Sequence, residues 1–257
     1  MNLEKRHAIC FGINYENNAK FRLRGCINDV KNIGRMLFAH AGFRDVRIFC
    51  DDVPNPRTTY RNILYEIEEL AKRSNEENLE IVWIHFAGHG TQIRDDDNDE
   101  KDRMDESIVP SDFEKSGMLR DDDIKLQLRK FNPKTKVICV FDCCHSGTIM
   151  DLKFKYVNKR VTREESKECA LESKVICISG CKDVQTSADA YNVRGNREFS
   201  GAMSSCLLLA ITDARKERKL NILNVLNKLH NYLRSRRFIQ IPQLTSSFVV
   251  AENDILF

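Results

Sequence analysis

IVWIHFAGHG, residues 81–90, is an apolar run that stops abruptly in a Gly-His-Gly turn. Its β-branched and aromatic residues fit a strand buried on both faces, as in a parallel sheet between layers of helices. VICVFDCCHSG, residues 137–147, repeats the pattern and ends in Asp142, Cys143, Cys144, His145, Ser146 and Gly147. In an open parallel sheet, ligands bind outside the carboxyl ends of the strands. His89 and Cys144 both fall just past such ends. Glycine on either side of His89 lets the backbone turn sharply and presents the imidazole. Gly147 does the same after Cys144 and leaves backbone N–H groups free to face a developing oxyanion.

Outward from these two runs, strands and helices alternate. Strands are expected over residues 7–13, 46–49, 79–87, 136–141, 175–179 and 244–250. Helical spacing marks residues 28–41 through Val30, Ile33, Leu37 and Phe38. It also marks residues 58–73 through Ile63, Ile67 and Leu70, with Thr58 or Thr59 near the N-cap. Further helices are expected over residues 121–130, 202–212 and 222–235. This order predicts an α/β fold with a mostly parallel central sheet flanked by helices on both faces. With no linker composition and no internal repeat, residues 1–257 read as a single domain. Residues 94–123 are acidic and residues 152–174 basic, and both look structureless by pattern. Long loops in a compact domain are usually functional or mobile.

A net charge of +3 with 31% charged residues gives no field that points to nucleic acid or to an anionic membrane. Residues 1–6 are polar, and the apolar run at 8–13 is too short for a signal sequence. No stretch approaches a membrane span. A soluble, cytoplasmic protein is therefore expected, with monomer as the default. Ten cysteines are scattered, several inside apolar runs, which suits reduced, buried thiols better than disulfides. Cys139, Cys143, Cys144 and His145 have the wrong spacing for a tetrahedral zinc site.

A Cys–His pair needs an imidazole close enough to take the thiol proton and return it to a leaving amine. Cys144 follows His89 by 55 residues. The caspase spacing is about 50, although the QACxG motif of caspases is absent here.

HFAGHG and DCCHSG resemble the two catalytic motifs of metacaspases. GCINDV (residues 25–30), MDESIVPSDF (residues 104–113), the acidic run at Asp121, SGCKDVQTSADA (residues 179–190) and the pair Gly201 and Ala202 extend the likeness over nearly the whole chain. The resemblance implies a caspase-like fold, calcium dependence, and cysteine endopeptidase activity on protein substrates with Arg or Lys before the scissile bond. It implies His89 as catalytic base and Cys144 as nucleophile, with Asp29 and Asp142 as the carboxylates of the primary specificity pocket. Such carboxylates would favour a cationic side chain and repel an acidic one. Asp29 also stands where the next helix would take an N-cap. One departure matters: Ala87 occupies the place of a family serine that lines the pocket, so a hydroxyl is missing but no charge.

The resemblance also implies a calcium site from Asp105, Asp121, Asp122 and Asp151, and calcium favours such hard oxygen ligands. Residues 95–123 hold 13 acids and 4 bases. A bound cation would relieve that self-repulsion and order the segment. Asp123, and in part its two neighbours, could instead cap the following helix. An EF-hand reading of residues 95–106 puts acids at loop positions 1, 3, 5 and 12, but Glu100 stands where glycine is required. The basic stretch 152–174 offers a self-cleavage site for an enzyme that cuts after Arg or Lys. Two alternatives remain: a caspase-like scaffold without activity, and another cysteine hydrolase of the clan, such as a legumain-like or separase-like peptidase.

Overall fold

A computed structural model describes residues 5–94, 104–143, 149–150, 152–157, 160–164, 171–180, 189–191 and 199–257. The chain opens with strand β1 (Arg6–Gly12), helix α1 (Cys26–His40), β2 (Asp45–Cys50), α2 (Tyr60–Glu76) and β3 (Ile81–Ala87). A small excursion follows: β4 (Gly90–Arg94), β5 (Met104–Ile108), the single turn α3 (Phe113–Ser116) and β6 (Leu119–Arg120). Helix α4 (Asp121–Leu128) leads back into β7 (Lys136–Asp142). Next come β8 (Phe154–Val157), β9 (Arg160–Glu164), β10 (Lys174–Ser179), β11 (Asp189–Tyr191) and β12 (Phe199–Gly201). Helices α5 (Ala202–Lys216) and α6 (Ile222–Ser235) precede the last strand, β13 (Gln243–Ser246).

The central sheet has eight strands in the order β2-β1-β3-β7-β10-β13-β8-β9. The first five run parallel and the last three pair antiparallel. Side chains alternate between its faces, and each set meets its own helices. Ala8, Cys10, Trp83, Ile138, Val140 and Ile176 pack with α1, α5 and α6. Ile9, Phe11, Val82, Ile84, Val137 and Cys139 pack with α2 and α4. In α6, Ile222, Val225, Leu226, Leu229 and Leu233 form one buried stripe. Each such side chain contributes roughly 1.5–3 kcal/mol on burial. Helix α2 begins as its sequence suggests, with the Thr59 side chain accepting from the Asn62 N–H.

Three expectations change. The stretch 94–123 is not structureless where it is described, because β5 and β6 lie within it and pair antiparallel with each other and, through β5, with β4. Likewise β8 and β9 form a hairpin within 152–174, with Phe154 and Tyr156 turned into the core and Lys155 half-exposed between them. Helix α1 starts at Cys26, so Asp29 lies one turn inside it and is no N-cap. Among the described residues, no helix is long and apolar enough to cross a membrane.

Candidate active site

Register aligns the carboxyl ends of the central strands. Gly12 of β1 faces Ala87 of β3, and Ala87 faces Asp142 of β7. The Gly88 N–H then donates to the Asp142 carbonyl at 3.3 Å. His89 therefore follows β3 by the same two residues by which Cys144 follows Asp142 in sequence. Cys144 itself, with His145, Ser146 and Gly147, lies outside the described residues.

His89 is half-buried and held on every side that is described. Its backbone N–H donates to the Tyr15 hydroxyl at 2.8 Å, and its carbonyl accepts from the Val109 N–H at 3.0 Å. The Nε2 atom lies 2.7 Å from the Phe21 carbonyl. A carbonyl can only accept, so Nε2 carries the hydrogen and the lone pair of the neutral ring sits on Nδ1. Tyr15 lies against the imidazole with ring centroids 4.8 Å apart, and Phe21 meets it edge-on at 6.2 Å. Nothing in the sequence pattern singled out Tyr15 or Phe21. Both come from the loop between β1 and α1, whose course depends on contacts distant in sequence.

Asp29 and Asp142 are both buried, and they converge on the N-terminus of α5. Asp29 Oδ2 accepts the Gly201 N–H at 2.7 Å, and Asp142 Oδ2 accepts the Ser204 N–H at 2.9 Å. Free N–H groups and the helix dipole favour negative charge at such a terminus. Glycine is required at 201, because a Cβ there would lie 2.5 Å from Asp142 Oδ2 and 2.9 Å from Asp29 Oδ2. Ala87 is buried next to Asp142 in register, on the face covered by α1 and α5. Behind Asp142, the Ser204 hydroxyl lies 3.1 Å from His85 Nε2. Burial pushes His85 down to about 3, so its ring is neutral. It serves as a structural partner of Ser204, as its inward place on the strand suggests.

Asp105, Asp121 and Asp122 stand where β5, β6 and α4 meet. Asp105 is buried and pairs with Arg120 Nη1 at 3.4 Å. Asp121 is buried, accepts the Met150 N–H at 3.0 Å and holds Lys125 Nζ at 3.0 Å. Asp122 takes the same ammonium at 3.1 Å. Burial alone would lower the Lys125 pKa, but the two carboxylates outweigh it and push it up. Asp151 lies outside the described residues. Among the described residues, no three metal-binding side chains gather closely enough to hold an ion. The donor chemistry suits calcium, but here the carboxylate charge is met by Lys125 and Arg120. Asp123 caps nothing; it accepts from the Tyr60 hydroxyl at 2.8 Å.

The seven described cysteines are buried, and Cys10, Cys50, Cys139, Cys177 and Cys206 are free thiols. Burial pushes the Cys139 and Cys206 thiols up to about 12, which keeps them protonated and unreactive.

The family model described as metacaspase, peptidase C14 domain, matches residues 6–153, more than half of the chain. The chain belongs to the metacaspase family. Metacaspases are cysteine peptidases, related in fold to caspases. Metacaspase-1 of Yarrowia lipolytica is 34% identical over 294 residues, covering 95% of this chain and 62% of its own length. Metacaspase-1A of Aspergillus niger is 31% identical over 294 residues, covering 95% of this chain and 70% of its own. This metacaspase chain thus spans about three-fifths of the Yarrowia relative. Among solved structures, caspase-1 of Spodoptera frugiperda superposes with a TM-score of 0.63 at 12% identity, covering 98% of this chain and 91% of its own. A Geobacter sulfurreducens protein gives 0.62 at 22% identity, covering 95% and 93%. At these identities the likeness speaks for the fold alone.

Proposed function

We propose that this metacaspase is a calcium-dependent endopeptidase that cleaves after Arg or Lys, with Cys144 as nucleophile and His89 as general base and acid. The observation that carries this reading is the convergence of two buried carboxylates, Asp29 and Asp142, beside the strand end that presents His89. Two carboxylates beside the nucleophile favour a cationic side chain and repel an acidic one. An Arg or Lys side chain of the substrate seated there would bring its carbonyl to the strand ends.

The steps follow ordinary acyl transfer. His89 Nδ1 takes the Cys144 thiol proton, and the sulfur attacks the scissile carbonyl carbon. The C–N bond breaks as the imidazolium returns the proton to the leaving amine. Water, deprotonated by the same imidazole, then hydrolyses the thioester and regenerates the thiol. The Phe21 carbonyl and the Tyr15 ring hold the imidazole in one tautomer and orientation through the cycle. Calcium bound through Asp105, Asp121, Asp122 and Asp151 would offset part of the negative charge of the stretch 95–123 and tie β5 to α4.

The basic stretch 152–174 is offered as a site of self-processing. Five free, buried thiols among the described residues suit a reducing, intracellular compartment, and a monomer is the simplest working form. Ala87 favours a second reading, a caspase-like scaffold of weak or no activity, because it removes a hydroxyl beside Asp142.

A peptidyl chloromethyl ketone with a terminal Arg tests the assignment. Peptide mapping after treatment in calcium should place the adduct on Cys144, with an Asp-terminated analogue leaving it free. Failure to alkylate Cys144 would count against both nucleophile and pocket.

A further inference from the structure

The loop between β1 and α1 contains a residue in an unfavourable conformation. Tyr15 has φ of +56°, a region that bulky L side chains rarely adopt. The strain is braced from both sides by one carboxylate. The N–H of Asn14 donates to Asp51 Oδ1 at 2.8 Å, and the N–H of Glu16 donates to Asp51 Oδ2 at 3.2 Å. Asp51 is buried just past the end of β2. The Tyr15 carbonyl closes a turn by accepting the Asn18 N–H at 2.9 Å. Strain of this kind persists where the surroundings over-determine it, and it concentrates at functional sites.

What the strained conformation achieves is visible at the hydroxyl. It accepts the His89 N–H and donates to the Val109 carbonyl, each at 2.8 Å. The Val109 N–H returns to the His89 carbonyl at 3.0 Å. Both backbone polar groups of His89 are thus fixed, although Gly88 and Gly90 leave that backbone free to swing. A Cβ at Gly88 would come within 3.0 Å of the same hydroxyl, so the approach is close. Burial pushes the Tyr15 phenol well above its ordinary value, and the donated proton stays in place.

We propose that Tyr15 is a positioning residue for the reaction of His89, and that Asp51 holds Tyr15 in the strained conformation this requires. The proposal rests on the reading of His89 as catalytic base. Val109 directly follows the strand pair that carries Asp105, so the same hydroxyl ties the acidic sheet to the base.

The test compares wild type, Tyr15→Phe, Asp51→Asn and the double variant. Tyr15→Phe keeps the ring and removes only the bridge. The expected result is a fall in kcat of about 10- to 100-fold on an Arg peptide, with KM within about twofold. Amide hydrogen exchange at His89 should speed up about tenfold, with global exchange little changed. Asp51→Asn should shift both readouts in the same direction, and the double variant should fall short of the product of the single effects. Unchanged exchange at His89 in folded Tyr15→Phe overturns the brace. Faster exchange with unchanged kcat overturns the positioning role. Absence of Cys144-dependent hydrolysis in the wild type overturns the peptidase reading, while exchange still decides whether Tyr15 holds His89.

Discussion

Replacing Lys125 by methionine removes a cation from between Asp121 and Asp122 while keeping the length of the side chain. The ammonium sits 3.0 Å from one carboxylate and 3.1 Å from the other. Without it, Asp121 remains buried with the Met150 N–H and a like-charged neighbour. Removing one partner of a fully buried ion pair costs about 3–5 kcal/mol. The Asp122 side chain is 34% exposed, so solvent screens part of this and the expected loss is about 2–4 kcal/mol. For a chain of this size the melting midpoint should fall by roughly 5–12 °C in chelator. Calcium should reverse much of the loss. An ion that binds only the folded state returns about 2.7 kcal/mol at a hundredfold excess over its Kd. In the wild type the ion must first displace Lys125, so calcium should stabilise the variant more than the wild type. Urea unfolding of both proteins, with calcium and with chelator, measures all four states. Equal stability in chelator would refute the ion pair. An equal calcium increment in both proteins would refute the competition, and no increment in either would sink the calcium site.

Three further predictions follow from the site. Gly201→Ala puts a methyl group 2.5 Å from Asp142 Oδ2 on a backbone (φ −64°, ψ 139°) that alanine accepts, so overpacking of about 1–3 kcal/mol falls on the two carboxylates. KM for Arg peptides should rise about tenfold, a loss of uniform binding, and an unchanged KM would remove Asp29 and Asp142 from the pocket. His85 is neutral when folded and takes a proton near pH 6.5 when unfolded, so stability is full above pH 6.5 and is lost as pH falls toward 3. Between pH 7 and pH 5 the wild type should lose about 2 kcal/mol more than His85→Gln in urea unfolding, and parallel curves would show His85 to be exposed to protons. Intact mass after calcium treatment should show cuts after Lys or Arg within 152–174 in the wild type and none in Cys144→Ala; identical spectra would end the self-processing idea.

The sequence was most readable where one physical demand dominates. The buried runs of β3 and β7 must sit between helix layers, and the 3.6-residue stripe of α6 gives its ends at residues 222 and 235 directly. It was least readable where charge is buried. Asp105 and Glu106 lie in the interior of β5, so an acidic composition that reads as solvated loop hides a strand. In β8 the alternation of Phe154 and Tyr156 around Lys155 was present but masked by the surrounding bases. Of the site, the place of His89 past its strand was legible from the glycines. Its holders were not, since the course of Tyr15 is set by Asp51, 36 residues further along the chain. Lys125 carries no signal in the sequence, because only the fold brings it between two carboxylates.

The most direct test of the central claim is hydrolysis of matched fluorogenic peptides ending in Arg, Lys or Asp, with calcium and with chelator, for wild type and Cys144→Ala. Cutting after Arg and Lys that needs calcium and vanishes in Cys144→Ala is the expected result. Cutting after Asp would contradict the pocket of Asp29 and Asp142, and silence on every peptide would contradict the peptidase itself.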